Sequence, residues 1–369
     1  MTIYSLKTRL GFILLIGVLL LFNNSDVLAQ EAMRFKTVVI DAGHGGKDPG
    51  AVGKISKEKD IVLNVALQLG SYIEKNMPDV KVVYTRTSDV FIPLNKRAEI
   101  ANENKADLFI SIHANAISTS KIHGAETFVL GLHRTKENLE VAKMENSVIV
   151  LEEDYTTNYE GFDPNLAESY IIFELMQNIH IDQSIYMASI LQSQFKNRVG
   201  RRDRGVKQAG FLVLRKATMP SVLVELGFLT NQAEEKFLAS KDGQTYLASA
   251  LYRAVRDYKE EFDSKSKMED IAKLALEREE NLVQYRIQIA SSKKAIKQGA
   301  NVYKKFDDIW MYKDGGYYKY TTSCSSDYQT IVSSLNSVKD KIADAFIVAF
   351  KGDSKISVSE ARNFQRQQQ

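Results

Sequence analysis

A single cysteine, Cys324, leaves this 369-residue chain unable to form an intramolecular disulfide. That excludes a small secreted domain stapled by disulfides, and export without them fits a bacterial envelope. Cys324 reads most simply as a small buried apolar residue. Charge of one sign is also scarce: the net charge is +3, of which Lys7, Arg9 and Asp26 in residues 1–29 hold +1. Nothing here resembles the basic face of a nucleic-acid binder. After Phe22 no run is long and apolar enough to span a bilayer.

The first apolar run, Leu10–Phe22, follows Lys7 and Arg9 and falls short of the roughly 20 residues a spanning helix needs. Val27-Leu28-Ala29 then places small residues at the −3 and −1 positions. This is the three-part layout of a secretory signal peptide, with cleavage expected after Ala29 and an exported, soluble, periplasmic product without a transmembrane anchor. Hydrophobic residues make up 44% and charged residues 26%, enough for a full core, and the length predicts two or three domains.

The stretch Thr37-Val-Val-Ile-Asp-Ala-Gly-His-Gly-Gly46 organises the rest. A β-prone run enters a carboxylate and a glycine-rich turn around His44, and open α/β sheets place sites at that carboxyl edge. A lone histidine is weak support for a site; its company matters more. Lys47–Lys57 reads as a Gly/Pro loop. A helix is predicted from Glu58, with Ile61, Val62, Val65, Leu69 and Ile73 on one face. Glu58 falls in its first turn, where the helix dipole favours a carboxylate.

Val80–Tyr84 predicts a strand, Thr85–Asp89 a polar loop and Leu94–Asn104 a short helix. Leu108–Ile112 is nearly all apolar, as a strand buried on both faces should be, and His113 and Asn115 lie at its end. Thr127–Leu130 predicts a strand, and Lys136–Val150 and Asp182–Asn197 helices. Arg201-Arg-Asp-Arg-Gly205 reads as a solvated basic turn. Pro220–Asn231 holds another core strand that ends on Glu225, a carboxylate among Val, Leu and Phe and therefore costly to bury without a role. Asn231 predicts an N-cap, and Gln244–Phe262 a helix.

His44, Glu58 and His113 make up the His₂Glu set of catalytic zinc sites, which leaves a fourth position to water. Glu225 is then the general base for that water and the acid for a leaving amine, which implies metal-assisted amide hydrolysis. The segments AGHGG, Glu58, SIHAN and VELGFLTN resemble the zinc-dependent N-acetylmuramoyl-L-alanine amidases of the third amidase type over roughly residues 36–260. The resemblance implies an α/β domain, 36–262, with a twisted, mixed six-stranded sheet flanked by helices. It further implies one Zn²⁺ on His44, Glu58 and His113, catalysis by Glu225, and cleavage of peptidoglycan between N-acetylmuramic acid and L-alanine. A zinc peptidase acting on the stem peptide and a non-catalytic wall-binding protein are the alternatives.

Residues 152–180 break the pattern with dense Asp and Glu and an apolar run, Tyr170–Met176, that can form one helix. Their location resembles inserts that cover the site in amidases switched on by partner proteins, so a regulatory insert and an activator protein are expected. A Lys/Glu-rich helical linker, 263–283, leads to a small α+β domain, 284–350, with an antiparallel sheet and two helices. YRIQIASS, GGYYKYTT and DAFIVAF are similar to SPOR domains, which bind glycan strands stripped of stem peptides at division sites; enrichment at the septum follows. Ser323-Cys324 replaces the glycine often found after the second strand of that family. Residues 351–369 are expected to be a frayed polar tail.

Overall fold

The computed structural model describes residues 34–153, 155–175, 179–297 and 299–367; the expected signal peptide, 1–29, lies outside them. Among the described residues no helix is long and apolar enough to cross a membrane. The chain divides between Ser266 and Lys267 into two compact units.

In the first unit the strands are β1 (Thr37–Ala42), β2 (Lys81–Tyr84), β3 (Leu108–Asn115), β4 (Ala125–Leu130), β5 (Asp203–Ala209) and β6 (Ser221–Phe228). They form one sheet in the order β2-β1-β3-β6-β4-β5. The pairs β1/β2, β1/β3, β3/β6 and β4/β5 are parallel, whereas β4 runs antiparallel to β6, so the sheet is mixed as expected. The helices that cover it are α1 (Glu58–Asn76), α2 (Leu94–Glu103), α3 (Lys136–Asn146), α4 (Ile181–Gln194), α5 (Gln232–Ala239) and α6 (Lys241–Asn281). Helix α6 continues through the stretch expected to be a linker.

Alternation along the strands decides what meets what, because successive side chains face opposite sides of a sheet. Val38, Ile40, Ile110, Ile112, Val222 and Val224 pack under α1, α4 and α6 through Val65, Leu69, Leu191, Leu251 and Val255. Val39, Phe109, Leu223 and Phe128 pack on the other face against Leu139, Ala142, Phe211 and the insert. That second face, continued to the carboxyl edge, carries Asp41 on β1, Ser111 and His113 on β3, and Glu225 on β6.

In the insert the apolar run expected to form one helix is helical from Tyr170 to Leu175, as a 3-10 turn running into an α-turn, and Met176 lies outside the described residues. Short turns at Tyr155–Asn158, Ala167–Ile171 and Ile172–Leu175 bury Tyr159, Phe162, Tyr170 and Phe173 in the second core. Aromatic edge contacts, such as Phe162 against Tyr170 at 5.1 Å, replace helical periodicity as the organising feature. The Arg201–Gly205 turn also needs correction. Asp203 opens the edge strand β5, Arg201 pairs with Glu234, and Arg204 Nε donates to buried Glu126 at 2.8 Å. These arginines neutralise carboxylates that β4 and α5 bury. Asn231 caps α5 as expected, its side chain accepting from Ala233 and Glu234 N–H.

The second unit is an antiparallel sheet in the order β11-β10-β7-β9-β8, from β7 (Val283–Ser292), β8 (Trp310–Asp314), β9 (Tyr317–Ser325), β10 (Phe346–Lys351) and β11 (Ser354–Ile356). Helices α7 (Tyr328–Lys339) and α8 (Val358–Gln367) back it around Tyr285, Ile287, Tyr320, Ile331 and Ala361. The expected frayed tail is therefore ordered through β11 and α8, because Ala361 is fully buried and Tyr285 Oη bonds Gln365 Oε1 at 2.9 Å. Ser323 adopts φ 53, the left-handed backbone that glycine takes most easily, and its N–H donates to Asp308 at 2.7 Å. Cys324, beside this irregularity, is exposed rather than buried; its Sγ lies 3.3 Å from Gln284 Oε1.

Phe211 is fully buried and meets Phe128 edge-on at 5.1 Å. Phe211→Ala should lower the unfolding free energy of the full chain by about 3–5 kcal/mol. Ile55→Ala, at a side chain 67% exposed, should change it by less than about 0.5 kcal/mol. Urea denaturation measures both, and equal effects would contradict the assigned core.

Candidate metal centre

His44 follows β1 with φ 59, a left-handed backbone that histidine adopts more readily than β-branched residues. The turn is packed to the limit around it. A Cβ on Gly43 would lie 2.4 Å from His113 Cε1, and one on Gly50 would lie 2.6 Å from both Glu58 Oε2 and the His44 ring. Two buried arginines hold the backbone carbonyls here. Arg86 donates to Ala42 O at 2.9 Å and Gly43 O at 2.7 Å, and Arg97 donates to Ala42 O at 2.8 Å and His44 O at 2.9 Å.

Each imidazole is oriented through one nitrogen. His44 Nδ1 lies 2.7 Å from Asp48 Oδ2, and ionised carboxylate oxygen can only accept, so this nitrogen carries the proton. His113 Nε2 lies 3.1 Å from Ser111 Oγ, which itself donates to Asp41 Oδ2 at 2.7 Å. Asp41 is completed by Thr85 Oγ1 at 2.5 Å and Arg97 Nη1 at 2.8 Å. Burial opposes ionisation of Asp41, yet Arg97 and the two hydroxyls outweigh it and lower its pKa. Glu58, first residue of α1, accepts Ala114 N–H at 2.8 Å and Ala51 N–H at 2.7 Å. These outer partners fix the inner donors in the manner of supported metal ligands.

The free nitrogens, His44 Nε2 and His113 Nδ1, face one another at 3.2 Å. Glu58 Oε1 lies 3.1 Å from the first and 3.2 Å from the second. Glu145 Oε2 lies 3.3 Å and 2.9 Å from the same two atoms, although it has no hydrogen-bond donor of adequate geometry. Ligand atoms of all four buried residues fall within 4.8 Å of one another. Tetrahedral zinc with bonds of about 2.0–2.1 Å separates its ligands by roughly 3.3–3.4 Å. The five measured edges come close to that tetrahedron, so His44, Glu58, His113 and Glu145 can hold one metal ion.

Electrostatics demand a positive charge at this point. Burial alone would push both imidazoles down, but Glu58 and Glu145 prevail: His44 is held well above its ordinary pKa and His113 is raised to about 9. Burial also disfavours ionised Glu58, yet the two imidazoles keep its pKa far below the usual carboxylate range. The site stores protons that a divalent cation would replace.

The four expected residues converge as a group. Glu225 stands opposite His113 in the β3/β6 register, wholly buried, and neither of its carboxyl oxygens has a hydrogen-bond partner. Burial raises its pKa well above normal, with Glu145, Glu58 and Glu126 adding to the effect. Glu145 itself was missing from the sequence reading. It follows Val141 by four residues and Ala142 by three, on the buried side of α3, and a carboxylate in an apolar stripe was the available signal. Arg97 likewise sits on the buried side of α2 with Leu94, Ala98 and Ala101.

Residues 38–257 match the family model described as Amidase_3: N-acetylmuramoyl-L-alanine amidase. The N-acetylmuramoyl-L-alanine amidase AmiA of Escherichia coli (strain K12) is 34% identical over 66% of this chain and 82% of its own. AmiC of Escherichia coli O6:H1 is 33% identical over 60% of this chain and 52% of its own. Among solved structures, the catalytic domain of CwlV, an N-acetylmuramoyl-L-alanine amidase from Bacillus (Paenibacillus) polymyxa var. colistinus, is 32% identical over 60% of this chain and 97% of that one, with a TM-score of 0.45. With the family model spanning more than half of it, this chain belongs to the N-acetylmuramoyl-L-alanine amidase family.

Proposed function

We propose that the chain is a zinc-dependent amidase that hydrolyses the bond between N-acetylmuramic acid and L-alanine in peptidoglycan, remodelling the wall as daughter cells separate. The observation that carries this reading is the buried, near-tetrahedral group of His44, Glu58, His113 and Glu145 beside the unpartnered carboxyl of Glu225. His44, Glu58 and His113 are the ligands that remain throughout. A bound zinc supplies Lewis acidity, lowering the pKa of water and polarising an amide carbonyl. Glu225 takes the proton of the attacking water and passes it to the leaving amine nitrogen. Its lack of protein partners keeps both oxygens available for that transfer.

Glu145 would fill the fourth position of an ion held by His44, Glu58 and His113, the position that catalysis needs for water, so a conformation with Glu145 in place would be a resting one. Glu145 stands on α3, just before the insert 152–180. A partner protein that draws α3 and the insert aside would expose the site, a shift between covered and open populations. The signal peptide directs the chain to the periplasm.

In the second unit Trp310 and Tyr312 stack at 5.6 Å, Phe350 meets them edge-on at 5.0 and 4.9 Å, and Arg286 lies 4.8 Å from the Trp310 ring. A cleft of about 260 Å³ opens beside Gln284, Arg286, Trp310, Phe350 and Asp353. Aromatic faces with flanking polar groups suit the apolar and hydroxyl sides of a sugar. This supports a SPOR-like module that binds bare glycan and concentrates the enzyme at the septum.

Digestion of purified sacculi tests the main reading: intact stem peptides should be released, and chelation should abolish the release, whereas shortened peptides would mark a peptidase. Glu225→Gln should retain zinc and lose about 10²–10⁴-fold in rate; near-full activity would exclude Glu225 from the chemistry.

Metal retention should depend on pH. Both imidazoles are protonated below their raised pKa values, so an incoming ion displaces up to two protons. Apparent zinc affinity should therefore rise between pH 6 and 8, by up to about a hundredfold per pH unit. Competition against a chromophoric chelator measures this, and a flat profile would remove the histidines as ligands.

Trp310→Ala should leave hydrolysis of soluble fragments unchanged while weakening binding to stem-peptide-free glycan about tenfold. Unaltered binding in a glycan pull-down, with normal septal fluorescence in cells, would contradict the glycan face.

A further inference from the structure

Helix α2 has no N-terminal cap of its own. Pro93 stands at its N-cap position without a side-chain hydrogen bond, and no acidic residue lies in the first turn. Helix N-termini leave several N–H groups that need acceptors. The acceptor here comes from the insert: Leu94 N–H donates to Glu152 Oε1 at 2.9 Å. Tyr159 Oη lies 2.9 Å from both oxygens of Glu152 and accepts Asn95 N–H at 3.2 Å. Asn95 Nδ2 donates to Asn158 O at 3.2 Å, and Lys47 Nζ donates to Leu151 O at 2.5 Å. Glu152 is only 9% exposed.

Only the turn Ser147–Leu151 separates the α3 segment that carries Glu145 from Glu152. The two carboxylates thus bracket a short rigid element, one at the metal centre and the other at the start of α2. Arg97, one turn into α2, holds the carbonyls of Ala42 and His44. The helix that receives the latch therefore also fixes the metal-binding loop.

We infer that Glu152 is the latch that keeps Glu145 in the metal centre: its hydrogen bonds to α2 and Tyr159 set the fraction of molecules in the covered state. The inference rests on the reading of Glu145 as an occluding ligand. The latch forms one wall of a cleft of about 560 Å³ lined by Lys47, Asn95, Glu152 and Asn158, so a partner protein can reach it from solvent. Displacing one carboxylate there frees the turn, and with it Glu145, while His44, Glu58 and His113 keep their own supports from Arg97, Asp48, Ser111 and the Ala51 and Ala114 N–H groups.

The test uses the full zinc-loaded chain and a soluble muropeptide substrate. Glu152→Ala and Tyr159→Phe should each raise the rate, the first by about tenfold since hydrogen bonds to a charged group are lost. Zinc content should stay at one per chain, and amide exchange should quicken over residues 147–175. Tyr159→Phe removes a single hydroxyl and reports even if Glu152→Ala fails to fold. Glu145→Ala is the control for the underlying reading. If Glu145→Ala is faster than the parent while the latch variants exchange faster without gaining rate, Glu152 is a helix cap only and the latch is overturned. If Glu145→Ala gains nothing, the occlusion reading itself falls, and the latch with it.

Discussion

Everything near the active edge of this sheet answers to one electrostatic constraint. Two imidazoles and two carboxylates are pressed together in a buried site, each imidazole nitrogen 2.9–3.3 Å from the other and from both carboxylates. Such a cluster is tolerable only with positive charge at its centre, because burying unpaired polar groups is expensive. The supporting residues serve that requirement. Asp48 and Ser111 aim the rings, two backbone N–H groups hold Glu58, and Arg86 and Arg97 pin the carbonyls of the intervening turn.

The fold contributes placement rather than chemistry. Parallel strands β1, β3 and β6 end at a common edge, and period-two alternation puts Asp41, Ser111, His113 and Glu225 on one face. The single antiparallel neighbour, β4, brings Glu126 opposite Glu225 in register. Like carboxylates opposed across strands repel, and Arg204 and Lys207 from β5 neutralise Glu126. The edge strand is therefore coupled electrically to the residue assigned to proton transfer.

Much of this was legible in the residues. His44, His113 and Glu225 stand out because apolar strands rarely end in such groups without a purpose, and Glu58 opens a clear amphipathic helix. The less legible parts share a cause. Glu145, Arg97 and Glu126 are charged groups whose charged partners come from other elements of the fold, His44 and His113, Asp41, and Arg204 and Lys207, and local periodicity carries no record of such partners. The strand β5 was hidden by its own arginines, which read as solvent-seeking until the buried carboxylates they meet are known. The insert resisted for a different reason: large aromatics pack it, and these need no regular spacing to form a cluster. The ordered C-terminal tail is held by Ala361 with Ile356, Val358 and Phe364 around it and by the Tyr285–Gln365 hydrogen bond, a sparse set that a polar composition conceals.

The backbone at His44 narrows evolution's choices there. Its φ of 59 suits glycine, asparagine, aspartate or histidine far better than other residues. Of these only histidine brings an imidazole that can reach Glu58 and His113 while its other nitrogen meets Asp48. Any replacement meets either a conformational penalty or a chemical one, and most meet both. Position 44 is thus an isolated point in sequence space: a lineage can lose the metal site there in one step, but has no graded series of substitutions by which to retune it.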